Sequence, residues 1–269
     1  MRAHNADSLT YAHTQTHFTY TPTSRTQVGA AALASDGRVF LGVNVEFAHA
    51  TLDSAIHAEQ FAISNAALHG AVRLTMLCAT ASPCGHCRQF CKELNGSKEL
   101  LVVFARGEPK RPMRSLLDDL LPFGFGPSDL GIVERTLLAH RTVASTEIVS
   151  VDSTPADATL APALRDAALD ALRQSYAPYS HSHAGCAIQF RNATTTTTTT
   201  TTSATTFSST TIVIGYEIES CAYNPTMSAT RVALAALLMR GAQWRDIEIV
   251  VLAENDQSIV RLMKVAQEL

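Results

Sequence analysis

The chain has 269 residues, 46% of them hydrophobic, enough for one large domain or two of ordinary size with packed cores. A net charge of −3 and a pI near 6.4 exclude the broad basic field that accompanies phosphate-backbone binding, which favours a small molecule over nucleic acid as partner. No apolar run approaches the roughly 18 residues of a membrane span, and residues 1–20 alternate Thr, His and Ala without a signal-peptide core, so a cytoplasmic protein with no membrane partner is expected.

In chain order, residues 1–19 carry no helical stripe, and no helix is expected before Tyr20. Residues 28–33 and 39–45, joined through Ser35-Asp36-Gly37, read as a β-hairpin. An Ala-rich helix is predicted over 54–68, with Ser54 as its N-cap and Gly70 beyond its end. A strand at 74–80, a helix at 84–94 and a strand at 100–104 follow. Residues 141–160, rich in Ser, Thr, Asp and Ala, read as a linker between domains at 1–140 and 161–269. Beyond it come an amphipathic helix at 161–174, a hairpin at 185–190 and 211–216, a helix at 229–240, a strand at 247–253 and a helix at 259–265. Strands alternating with helices predict a three-layer α/β/α fold.

The chain also repeats itself. Tyr20, Pro22, Ser24, Gly29 and Ala30 match Tyr176, Pro178, Ser180, Gly185 and Cys186 at a displacement of 156 residues. Gly42 and Glu46 match Gly215 and Glu219 at 173, so the second copy carries an insertion. Its Thr-rich stretch, 194–210, has no apolar alternation to bury and reads as a disordered hairpin loop, with a modified tag as the other reading. The fold is therefore a tandem duplication.

Four of the six cysteines fall between Cys78 and Cys91, unlike a secreted disulfide framework. His57-Ala58-Glu59 and Pro83-Cys84-Gly85-His86-Cys87 together offer three zinc ligands, His57, Cys84 and Cys87. Three protein ligands and an open position mark a catalytic zinc, where four would mark a structural one. Two thiolates and a neutral imidazole cancel the charge of Zn2+, one ion per chain, and Glu59 is free to carry protons. A structural site completed by Cys91, His86 or Cys78 stays open, as does a weaker redox reading of Cys84 and Cys87 that gives His57 and Glu59 no role.

H-x-E with P-C-x-x-C resembles the signature of zinc-dependent nucleobase deaminases. With residues 42–47, 57–60, 83–90 and 123–130, the chain over roughly 20–255 resembles the bacterial-type, two-domain cytidine deaminases. The resemblance implies a homodimer, each subunit with one active and one degenerate deaminase domain, converting cytidine and deoxycytidine to the uridines in pyrimidine salvage. It implies that Asn44 and Glu46 hold the ribose 3′-hydroxyl, that Ala58 supplies a backbone donor and Ser82 a backbone acceptor for the base, and that Phe125 closes the pocket from the partner subunit. Read without it, Asn44 and Glu46 are turn and cap residues and Phe125 a loop anchor. Thr26 stands where the family has a Phe that stacks on the pyrimidine, and Gln60 where three-thiolate relatives have Arg. Counting eleven residues beyond Glu219 puts Thr230 in the place of His57 and Val232 in that of Glu59, so the second copy is expected to hold no zinc. Two alternatives remain: a deaminase of nucleic-acid cytidine or adenosine, and a zinc-binding pseudoenzyme.

Overall fold

Small residues govern how the first elements meet. A helix does precede Tyr20: α1 (Arg2–Gln15) buries Ser8, Leu9 and Ala12, and the Ala12 carbonyl rests where a side chain on Gly29 would stand. Its buried face is too small and polar for periodicity to reveal, and backbone proximity rather than an apolar stripe seats it. The computed structural model describes residues 2–105, 112–133, 135–139, 162–192, 209–254 and 261–264; the linker read at 141–160 and the threonines at 194–202 lie outside them.

After α1 come β1 (Gly29–Ala34), β2 (Val39–Val43), α2 (Ala58–Leu68), β3 (Leu74–Ala79), α3 (Gly85–Cys91), β4 (Leu101–Phe104), β5 (Met113–Leu116) and the short α4 (Leu117–Leu120). The sheet order is β2-β1-β3-β4-β5, with β3 and β4 parallel and the other neighbours antiparallel. Alternation along the strands sends Ala31, Leu33, Leu41, Met76, Cys78, Leu101 and Val103 to the α1 face. Gly42, beside Leu41, faces the other way, and α2 comes down on it with its Ala58 carbonyl and Ala62 amide. Helices on both faces give the expected α/β/α sandwich.

By contacts the chain forms two compact units. The first comprises Met1–Arg141 with Tyr176–His181 and Ile218–Met227; the second comprises Thr142–Ser175, Ser182–Glu217 and Ser228–Leu269. The second contains α5 (Pro162–Arg173), β6 (Ala184–Asn192), β7 (Ser209–Tyr216), α6 (Ala229–Met239), β8 (Ile247–Glu254) and β9 (Arg261–Lys264), with sheet order β7-β6-β8-β9. Leu164, Ala168 and Leu172 of α5 pack on Ala187, Val251 and Ala253, while Gly215 receives the Ala229 carbonyl and Ala233 amide of α6. Gly185 likewise receives the Ala168 carbonyl and Leu172 amide of α5, so Gly29 and Gly42 each have a twin here.

Two further expectations change in the second unit. Within the helix read at 259–265, residues 261–264 form a strand: β9 pairs antiparallel with the edge of β8, and a short run with no clear period takes the form its neighbour offers. The correspondence counted from Glu219 also shifts. Val45 bridges Ile56, the residue before the cap of α2, and Ile218 bridges Met227, the residue before Ser228, the cap of α6. The second connection is two residues shorter, so Ser228 stands for His57 and Thr230 for Glu59. Neither offers an imidazole or a carboxylate.

Candidate metal and catalytic centre

The centre is built where two helices begin. Leu52–Ser54 forms a single 3-10 turn, and Ile56 then pairs in both directions with Val45 at 2.8 and 2.9 Å, keeping the chain extended through His57. The helix therefore starts at Ala58 rather than 54, with His57 as its N-cap at φ −78°, ψ 149°. Cys84 caps α3 in the same extended geometry, and Cys87 follows in its first turn. The positive ends of both helices face the three donor atoms.

Cys84 Sγ lies 3.7 Å from Cys87 Sγ, and His57 Nδ1 lies 3.4 and 3.3 Å from the two sulfurs. A tetrahedron with Zn–S near 2.3 Å and Zn–N near 2.0 Å has edges of about 3.8 and 3.5 Å, so the donor set fits zinc and is far too open for a disulfide. The hydrogen bond from Cys87 draws the Cys84 thiol down to about 3, with burial opposing and His57 helping, while the same bond and burial push Cys87 up. Among the described residues these three are the only group gathered closely enough to hold a metal. Cys91, Cys78 and His86 do not join them. Burial pushes the Cys78 thiol up to about 12 and Cys91 higher still, and the His86 ring stacks on His57 at 4.9 Å between centroids.

Glu59, one residue inside α2, is buried, and that burial raises its carboxyl above the usual range. Its own amide, a hydrogen bond with Cys87 and the nearby His57 pull the other way. A carboxyl poised upward beside a metal site is suited to taking and returning a proton.

The remaining residues singled out in the sequence surround this cluster or brace it. Ala58 is buried in the first turn of α2, where amides have no intrahelical acceptor. Asn44 accepts from the Val28 amide and donates to the Thr26 carbonyl, both at 2.8 Å. Glu46 is buried, and its Oε2 accepts from the Thr23 and Ser24 amides at 2.8 and 3.0 Å, with the Ser24 side chain also bonded to the carboxylate. Their structural role is therefore real, and each keeps spare hydrogen-bonding capacity. Ser82 is exposed just before the α3 cap, and Thr26 is exposed on the segment that Asn44 braces. Phe125 is 44% exposed; its carbonyl accepts from Gln89 Nε2 and from Cys221 Sγ.

Three structural roles escaped sequence reading. Arg88 donates to the Pro83 and Leu120 carbonyls at 2.8 Å and to Ser82 Oγ at 3.3 Å, pinning the turn before Cys84. Gln60 accepts weakly from the His57 amide at 3.5 Å and donates to the Pro225 carbonyl at 2.8 Å. Glu93 is a buried carboxylate that accepts from Tyr176 and Tyr179. Only the repeat bringing Tyr176 into view hinted at the last, and nothing in one sequence pairs it with Glu93.

Profiles described as "Cytidine and deoxycytidylate deaminase zinc-binding region" match residues 4–104, and again 117–206 and 197–267. A cytidine deaminase of Proteus mirabilis is 37% identical over 240 residues, covering 89% of this chain and 70% of its own. "Cytidine deaminase 1" of Arabidopsis thaliana is 33% identical over 90% of this chain and 78% of its own. A crystal structure of cytidine deaminase from Mycobacterium tuberculosis aligns at 38% identity over 45% of this chain and 94% of its own, with a TM-score of 0.37.

Proposed function

The chain belongs to the cytidine and deoxycytidylate deaminase family, and from that membership and its His57–Cys84–Cys87 cluster we infer a zinc-dependent enzyme that hydrolyses cytidine and deoxycytidine to the uridines and ammonia. The carrying observation is the donor set itself: one imidazole nitrogen and two sulfurs at the edge lengths of a zinc tetrahedron, with a raised carboxyl beside them. A zinc ion held there supplies the Lewis acidity that makes water nucleophilic near neutral pH.

Glu59 accepts a proton from the attacking water, delivers it to N3 of the base, and passes a proton to the departing amine at C4. The Ala58 amide donates to the base, and the Ser82 carbonyl accepts from the amino group, held in place by Arg88. Glu46 and Asn44 hold the ribose hydroxyl while they brace residues 23–28. The second copy of the plan, with Ser228 and Thr230 in the ligand and acid positions, does no chemistry and serves assembly.

Phe123, Val133 and Tyr223 are strongly exposed, which supports a homodimer in which Phe125 reaches the partner's nucleoside. Free cysteines among the described residues agree with a reducing, cytoplasmic setting, and no described helix is long and apolar enough to cross a membrane. The test is Glu59→Ala: the protein should keep its zinc and lose turnover of cytidine, and retained deamination would overturn the role of Glu59. Single-stranded oligonucleotides assayed alongside separate a nucleoside enzyme from a nucleic-acid one.

A further inference from the structure

Glu93 lies two residues beyond α3, the helix that bears Cys87, and its side chain is fully buried. Four neutral donors converge on it, all from the second copy of the plan and all within the first compact unit. The Tyr176 and Tyr179 hydroxyls donate to Oε2 at 3.0 and 2.5 Å, and the Ser220 hydroxyl and Cys221 amide donate to Oε1 at 3.3 and 2.8 Å. Burial, reinforced by Glu93, pushes both tyrosines above their ordinary range, so their hydroxyls keep their protons, and pushes the Cys221 thiol up to about 12. A buried carboxylate with its lone pairs filled is a rigid junction, whereas one donor short it is a costly one.

The segment this junction holds, Ile218–Met227, also meets the catalytic helices. The Pro225 carbonyl accepts from Gln60, the residue after Glu59, at 2.8 Å. Cys221 Sγ donates to the Phe125 carbonyl at 3.8 Å, and Gln89 of α3 donates to the same oxygen. The line runs from Glu93 through Cys221 to the backbone of Phe125, with Gln89 closing it from the other side.

We propose that Glu93 is a positioning residue for substrate affinity: by clamping Ser220 and Cys221 it fixes the Phe125 backbone, and with it the ring that covers the nucleoside. The proposal rests on the reading of Phe125 as a pocket aromatic given above. The metal-less copy of the plan then does more than assemble the protein, since its former site loop steadies the wall of the working site.

The test is steady-state kinetics on the full chain with cytidine, with zinc content and thermal melts measured on each variant. Glu93→Gln keeps the volume but turns one acceptor into a donor facing donors; KM should rise about tenfold, kcat should change less than about threefold, and zinc content should hold. Cys221→Ala should raise KM by about threefold, and the double variant should be no worse than Glu93→Gln, because both act on one carbonyl. Additive effects, or a fall in kcat and zinc with KM unchanged, overturn the inference. Phe125→Ala is measured alongside: if it raises KM while Glu93→Gln does not, the inference fails and the pocket reading stands. If Phe125→Ala is silent, the pocket reading fails and takes the inference with it. Should Glu93→Gln not fold, Tyr179→Phe removes one donor and keeps the ring; a KM rise of a few-fold is expected, and an unchanged KM overturns the proposal.

Discussion

Gly42→Ala asks how closely the catalytic helix is seated. A Cβ built on Gly42 would lie 2.3 Å from the Ala58 carbonyl oxygen and 2.4 Å from the Ala62 amide nitrogen, both backbone atoms that cannot swing aside. Ordinary van der Waals contact begins near 3.4 Å, so α2 must withdraw by about 1 Å. Overpacking of this kind costs about 1–3 kcal/mol of stability. Because Ala58 sits between His57 and Glu59, the same withdrawal moves both the proposed metal ligand and the proposed proton carrier, and a misplacement of about 1 Å lowers catalysis by about 10²-fold. Gly215→Ala is the internal control: its Cβ would meet Ala233 and Ala229 of α6 at 2.1 and 2.5 Å, but that helix carries Ser228 and Thr230 in place of reacting groups. Urea denaturation should show similar losses of stability for the two variants, and kcat/KM, measured where both are folded, should fall far more for Gly42→Ala. Equal falls in kcat/KM, or none for Gly42→Ala, would refute the argument that Gly42 sets the position of the site.

Three further outcomes are expected. Cys84→Ser and His57→Ala should each lose zinc and activity together, checked by metal quantification, since each removes one of three clustered donors. Thr26→Phe restores a stacking face worth about 0.5–1.5 kcal/mol and should lower KM for cytidine about two- to tenfold; an unchanged KM would mean that Thr26 does not face the base. Burial alone would raise the Glu46 carboxyl, but hydrogen bonds from Ser24 and the Thr23 amide outweigh it and hold it below its ordinary value. Its contribution to stability is thus present above the unfolded-state pKa and lost as the pH falls through the folded one. Glu46→Gln should accordingly lose less stability than the wild type between about pH 6 and pH 3, as read by denaturant melts.

The candidate metal cluster was legible because zinc chemistry restricts residue type and spacing: His57, Cys84 and Cys87 come together, with Glu59 beside them. Gly42 and Glu46 marked the repeat because close backbone approach and buried carboxylates leave few substitutes. Other features depend on partners remote in sequence. Helix α1 packs through Ser8 and Ala12, which a hydrophobic pattern does not register. The start of α2 is set by the pairing of Ile56 with Val45, which overrides the capping potential of Ser54. Strand β9 exists because β8 presents an edge to it. Glu93 gains meaning only when Tyr176, Tyr179 and Cys221 arrive from more than 80 residues away.

The most direct test of the account is to assay purified protein for uridine and ammonia from cytidine while counting zinc per chain, before and after chelation. One zinc per chain, turnover lost on its removal and regained on its return is the result predicted. Stoichiometric zinc without turnover, or turnover that survives zinc removal, would contradict it.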